Sequence, residues 1–97
     1  MSSTVFYKDI IAFHPGAYIE DIIDDLNITQ SEFAKRMNTS SKTISTLVRG
    51  KSKLTPDLAF RLADLSGIDA GTWLSLQHEY DLKMLKIEEA REKGSLE

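Results

Sequence analysis

The residues with the clearest chemistry lie in the middle of the chain. Between Glu32 and Asp57 there is no carboxylate, while Lys35, Arg36, Lys42, Arg49, Lys51 and Lys53 give that window a charge of +6. Gln30 precedes it, and Ser40, Ser41, Thr43, Ser45 and Thr46 lie within it as short neutral donors and acceptors. Cations interleaved with such groups suit a polyanion with readable edges: the cations meet phosphates and the short polar side chains reach bases. The whole-chain charge of −3 conceals this, because residues 1–32 carry −5 and residues 57–97 carry −4. A basic block between two acidic ones implies one surface for a polyanion and another for a different partner. The plain alternative is a solvated Lys/Arg face, and the helical pattern beneath the cluster must decide.

Other chemistries are poorly served. Cysteine is absent, which excludes disulfides, thiolate metal sites and a cysteine nucleophile and suits a reducing cytosol; a cytoplasmic location is expected. His14 and His78 are the only histidines, far apart and without companion ligands, so no metal site is expected. A capping role suits His14 and a partly exposed position suits His78. Glu20, Asp21, Asp24 and Asp25 form carboxylate pairs, but no nucleophile or Gly-rich phosphate loop accompanies them. They read as a solvated or partner-binding face, and neither catalysis nor a cofactor is expected. The longest apolar stretches, such as Ile10–Phe13, are too short for a membrane span. With 97 residues, 41% of them hydrophobic, the chain supports one domain with one core.

The elements that must position the basic window are helices. Residues 1–13 hold a β-branched and aromatic run with partial alternation, read as an N-terminal arm that is extended, a strand or a disordered tail. The domain proper is residues 14–97. Pro15 opens a first helix whose inner face is Tyr18, Ile19, Ile22, Ile23 and Leu26, with the four carboxylates outside. Thr29 and Glu32 read as a capping box for a helix over Gln30–Met37, in which Phe33, Ala34 and Met37 line one side. Asn38-Thr39-Ser40 is a turn, with Ser40 capping a helix through Arg49 that points Ile44, Leu47 and Val48 inward and ends at Gly50. Thr55-Pro56 starts a fourth helix that ends at Gly67. Asp69 caps a fifth, from about Ala70 to Lys93, with a polar tail that frays from Glu88. Trp73, Leu76, Tyr80, Met84 and Ile87 form its apolar stripe, more than a small bundle needs, and a dimer seam accounts for the excess.

Two short helices joined by a tight turn over residues 29–50, with a polar basic outer face, form a helix-turn-helix layout. Ala34 is small where the helices cross. Lys42, Thr43 and Thr46 are expected at base edges, and Arg49, Lys51 and Lys53 at phosphates. Gln30, Ser40, Ser41 and Ser45 complete the expected DNA-binding set.

The stretch Gln30-Ser31-Glu32-Phe33-Ala34-Lys35-Arg36-Met37, followed by Ser40-Ser41-Lys42-Thr43-Ile44-Ser45, resembles the Cro/C1-type (XRE) helix-turn-helix. His14-Pro15-Gly16, Arg49-Gly50-Lys51, Leu54-Thr55-Pro56-Asp57, Ala59-Phe60-Arg61-Leu62-Ala63 and Thr72-Trp73-Leu74-Ser75-Leu76-Gln77 with Tyr80-Asp81-Leu82 are similar to HigA/VapI antitoxins over roughly residues 14–82. The resemblance implies an all-α, five-helix Cro/C1-like (lambda-repressor-like) fold with an extended C-terminal helix. It also implies a homodimer that binds double-stranded operator DNA, represses its own operon and neutralises a HigB-like mRNA-cleaving toxin, with no membrane or small-molecule cofactor involved. Asn38 stands where the family usually has Gly, and Thr39 where an apolar residue is usual. The four carboxylates Glu20, Asp21, Asp24 and Asp25 are the expected toxin face. Two alternatives stay open: a stand-alone Cro/C1-type repressor without a toxin, and a pure protein-interaction bundle.

Overall fold

The computed structural model describes residues 4–96, the last three as backbone only. The elements are β1 (Thr4–Tyr7), β2 (Ile10–Phe13), α1 (Pro15–Leu26), α2 (Gln30–Arg36), α3 (Ser41–Val48), α4 (Pro56–Ser66) and α5 (Ala70–Leu96). Five helices are present as the sequence implies, and three of the expected cap residues begin their helices, while the Asp69 carboxylate accepts the Thr72 hydroxyl at the start of α5. Thr29, Ser40 and Thr55 each accept the backbone N–H three residues on, at 3.0, 3.1 and 3.2 Å. The capping box at α2 is only half formed: Glu32 does not reach back to Thr29 but turns to Arg36, 3.7 Å away. Gly50 and Gly67 end α3 and α4 at φ 71° and 77°, a backbone that glycine adopts without steric cost.

The core joins Ile19 and Ile23 of α1, Phe33, Ala34 and Met37 around α2, Ile44, Leu47 and Val48 of α3, Leu54, Ala59 and Leu62, and Trp73 of α5. The inner face of α1 differs from expectation at its edges. Tyr18 and Leu26 are exposed, while Pro15 and Gly16 are buried, because α1 meets α3 through its N-terminal turn. At that crossing a Cβ on Gly16 would sit 1.9 Å from the Leu47 carbonyl oxygen. Only a residue without a side chain allows the two backbones to approach so closely.

Of the readings open for the N-terminal arm, the structure shows the strand. Residues 1–3 lie outside the described part, but residues 4–13 are an antiparallel hairpin with Val5 opposite Ala12 and Phe6 opposite Ile11. Lys8, at φ 53°, makes the turn. Cross-strand pairing puts Val5, Tyr7, Ile10 and Ala12 on one face and Phe6, Ile11 and Phe13 on the other. The first face lies on α5, where Ala12 is fully buried and the Tyr7 ring stacks 5.3 Å from the Arg91 guanidinium. The second stays open, with Phe6 70% exposed. The hairpin is thus a lid along α5, from the cleft that Ile11 and Phe13 share with Leu76 and Tyr80 to the Tyr7–Arg91 contact.

α5 is long beneath this lid. The helix runs 27 residues, about 40 Å at 1.5 Å per residue, past the point at which a fraying tail is expected to begin. Ile87 on its distal half is fully buried. The described molecule is elongated, 49 × 25 × 20 Å.

Candidate nucleic-acid interface

The α2–α3 hairpin turns at Asn38, whose φ of 55° is the left-handed backbone that asparagine tolerates. The Thr39 N–H donates to the Ala34 carbonyl at 2.9 Å, closing the end of α2. Arg61 of α4 then grips the turn from below. Its Nη1 donates to the Asn38 and Met37 carbonyls at 2.6 and 3.3 Å, and its Nη2 pairs with Asp57 at 3.0 Å. The guanidinium fork ties the turn to α4 and fixes the angle of the two helices.

With Ile44, Leu47 and Val48 turned into the core, helical geometry sends Ser41, Lys42, Ser45, Thr46 and Arg49 outward. Gln30, Ser40, Ser41, Lys42, Arg49, Lys51 and Lys53 are exposed, and Thr43, Ser45 and Thr46 are half-buried. The expected residues are therefore gathered on α3, its cap and the following loop, but they are not equivalent. The Thr43 and Ser40 hydroxyls hydrogen-bond to each other at 2.9 Å. The Thr46 hydroxyl donates to the Thr43 carbonyl at 3.0 Å and accepts from Ser52 Oγ at 3.2 Å. Two of the three expected base readers thus have hydroxyls already engaged. Among the described residues, no hydrogen bond or ion pair engages the side chains of Ser41, Lys42, Ser45 or Lys51. Lys53 reaches Asp81 of α5 at 3.4 Å, an exposed pair of little net strength.

The loop after α3 is anchored by residues the sequence reading gave no part in this face. His14 Nδ1 accepts the Gly16 N–H at 2.9 Å, capping α1, so the ring proton sits on Nε2, which donates to the Ser52 carbonyl at 2.8 Å. Burial lowers the His14 pKa, outweighing the opposite pull of the Ser52 carbonyl and the Asp81 charge. The Tyr80 ring meets the imidazole edge-on at 4.9 Å; burial, helped by Asp81, raises its phenol pKa. Gln77 Oε1 accepts the Leu54 N–H at 2.8 Å, and its Nε2 donates to Asp81 at 3.1 Å. A signal was present in the sequence: Gln77 is a polar residue in phase with the apolar stripe of Trp73, Tyr80 and Met84.

The other expected faces are placed unevenly. Asp21, Asp24 and Asp25 are exposed and Glu20 half-buried along α1. Of the expected dimer stripe, Trp73 and Ile87 are fully buried within the protomer, Trp73 donating its indole N–H to Ser66 Oγ at 3.2 Å. A side chain enclosed in its own chain has no surface to offer a second copy. Leu76, Tyr80 and Met84 are half-buried, and among the described residues of α5 the large apolar side chains Leu82 and Leu85 are exposed. Among the described residues no cluster of three His, Asp or Glu side chains is placed to hold a metal ion, and no helix is long and apolar enough to cross a membrane.

A short helix pair locked by a left-handed turn, with a polar cationic outer helix, defines a helix-turn-helix protein. Residues 19–73 match the helix-turn-helix family HTH_3, and the chain belongs to it. It is 34% identical over 85 residues to virulence-associated protein I of Dichelobacter nodosus, covering 87% of this chain and 79% of that one. Among solved structures it is similar to a protein described as an antidote of a plasmid maintenance system from Nostoc punctiforme (34% identity, TM-score 0.82, covering 88% of this chain and 93% of that chain). It is also similar to the antitoxin HigA of Pseudomonas aeruginosa, solved with the higBA promoter (26% identity, TM-score 0.75, covering 82% and 88%). The XRE-type fold and the likeness to HigA/VapI proteins read from the sequence are thereby borne out.

Proposed function

We propose that this chain is the antitoxin of a toxin–antitoxin pair, binding operator DNA as a dimer to repress its own operon and neutralising a HigB-like mRNA-cleaving toxin. The observation that carries the reading is the carboxylate-free α3 face. Ser41, Lys42 and Ser45 stand outward with uncommitted polar groups, Arg49 and Lys51 follow, and α2 and α4 lock the helix beneath them. Short polar side chains on an outer helix reach base edges in a major groove, while the cations and the exposed helix start at Ser40 and Gln30 meet phosphates. The HigA structure with its promoter supports the same use of the fold.

The toxin half rests on charge and on the antidote-like relatives. A nuclease that holds RNA needs a positive site, and Glu20, Asp21, Asp24 and Asp25 line α1 with the opposite sign. Co-expression with the product of the adjacent gene, followed by pull-down and an upstream-DNA binding assay, tests both halves. Co-purification that weakens when the four carboxylates become amides, together with salt-dependent DNA binding, is expected. DNA binding with no captured partner would instead make the chain a stand-alone repressor.

A further inference from the structure

The loop after α3 alternates cations with tethers. Lys51 and Lys53 are exposed, Lys53 with its ammonium 3.4 Å from Asp81, while Ser52 is held by the His14 imidazole and Leu54 by the Gln77 amide. Ser52 is held twice, since its hydroxyl also donates to Thr46 on the recognition helix. Gln77 is only 6% exposed, and a buried amide costs free energy unless both its ends are bonded. Here both are: Oε1 takes the Leu54 N–H, and Nε2 is taken by Asp81, whose other oxygen faces Lys53. An apolar residue would fill that place in the stripe of α5 without such requirements. The amide is needed for what it holds.

We propose that Gln77 and His14 are positioning residues for DNA binding, fixing the Lys51–Leu54 loop against α3 so that Lys51 and Lys53 meet the phosphate backbone already ordered. The inference rests on the DNA-binding reading above. A loop ordered only on contact would charge its lost conformational freedom against the affinity, and the tethers remove that cost beforehand.

The test uses the full chain and two duplexes, one spanning the DNA immediately upstream of its own gene and one of scrambled sequence. Gln77→Met keeps the shape and removes the acceptor. It is expected to weaken binding to both duplexes about tenfold and to flatten the salt dependence, while the chain stays folded by circular dichroism. In a Lys51→Ala/Lys53→Ala background the same change is expected to cost almost nothing more, because the groups it positions are gone. Gln77→Glu combined with Asp81→Asn restores an acceptor for Leu54 and a donor to it, and is expected to recover most of the affinity. Equal losses in both backgrounds, or unaltered binding by Gln77→Met, would overturn the inference while leaving the DNA-binding reading intact. No salt-dependent binding by the unmodified chain would overturn that reading, and this inference with it.

Discussion

Gly16 and His14 show how much of this fold hangs on single residues at one helix start. A methyl on Gly16 collides with the backbone of α3 rather than with a side chain that could turn away. Gly16→Ala is therefore expected to destabilise the protein by about 3 kcal/mol or more, read as a lowered denaturant midpoint. His14 adds a pH dependence. Its folded pKa is lowered, so between that value and the ordinary one near 6.5 the unfolded chain binds more protons. Stability is then complete above about pH 6.5 and falls as pH drops through the folded pKa. Thermal melts across this range are expected to show the fall, and His14→Asn, which keeps a cap without titrating, is expected to reduce it. Capping by His14 was legible from its place before Pro15. Its grip on Ser52 was not, because that bond spans 38 residues and no local pattern encodes it.

The helix-turn-helix pair was the most legible element, since caps, turn and apolar spacing all agree over residues 29–50. What the sequence could not show is that Arg61, from another helix, closes the turn. Arg61→Ala is expected to cost about 1–2 kcal/mol in stability, and Arg61→Lys is expected not to recover it, because one ammonium cannot serve two carbonyls and Asp57 in a plane. At the face itself, Lys51→Ala is expected to weaken binding to all sequences alike and to lower the salt slope by about one unit, measured by titration at several salt concentrations. The β-hairpin escaped a clear reading for a physical reason. Both of its faces are apolar, so Val5–Tyr7 and Ile10–Phe13 lack the clean alternation by which a half-buried strand announces itself. Its inner face was settled only by α5, which lies more than fifty residues away in sequence.

For the whole molecule the proposed dimer rests on fewer residues than the sequence suggests. A single α3 touches few base pairs, and two copies related by a twofold axis must place their outer helices about 34 Å apart to read a palindrome. With Trp73 and Ile87 enclosed, the proposed seam falls to Leu82 and Leu85 beside the half-buried Leu76, Tyr80 and Met84. Leu82→Glu with Leu85→Glu is expected to halve the mass seen by light scattering without loss of helix, whereas an unchanged mass would move the seam elsewhere. The excess of apolar surface on α5 was legible in the sequence; the part that the hairpin covers was not, because residues 1–13 were read as an extended arm, a strand or a tail with no packing partner.

The hydroxyls of Thr43 and Thr46 are engaged by other groups of the protein, whereas the side chains of Ser41, Lys42 and Ser45 make no hydrogen bond or ion pair among the described residues. On the proposed function, building the domain and choosing a promoter fall to separate residues. After a gene duplication, Ser41, Lys42 and Ser45 could diverge freely while every core contact stayed in place. Two sister copies in one cell would come to ignore each other's promoters without either having to relearn how to fold.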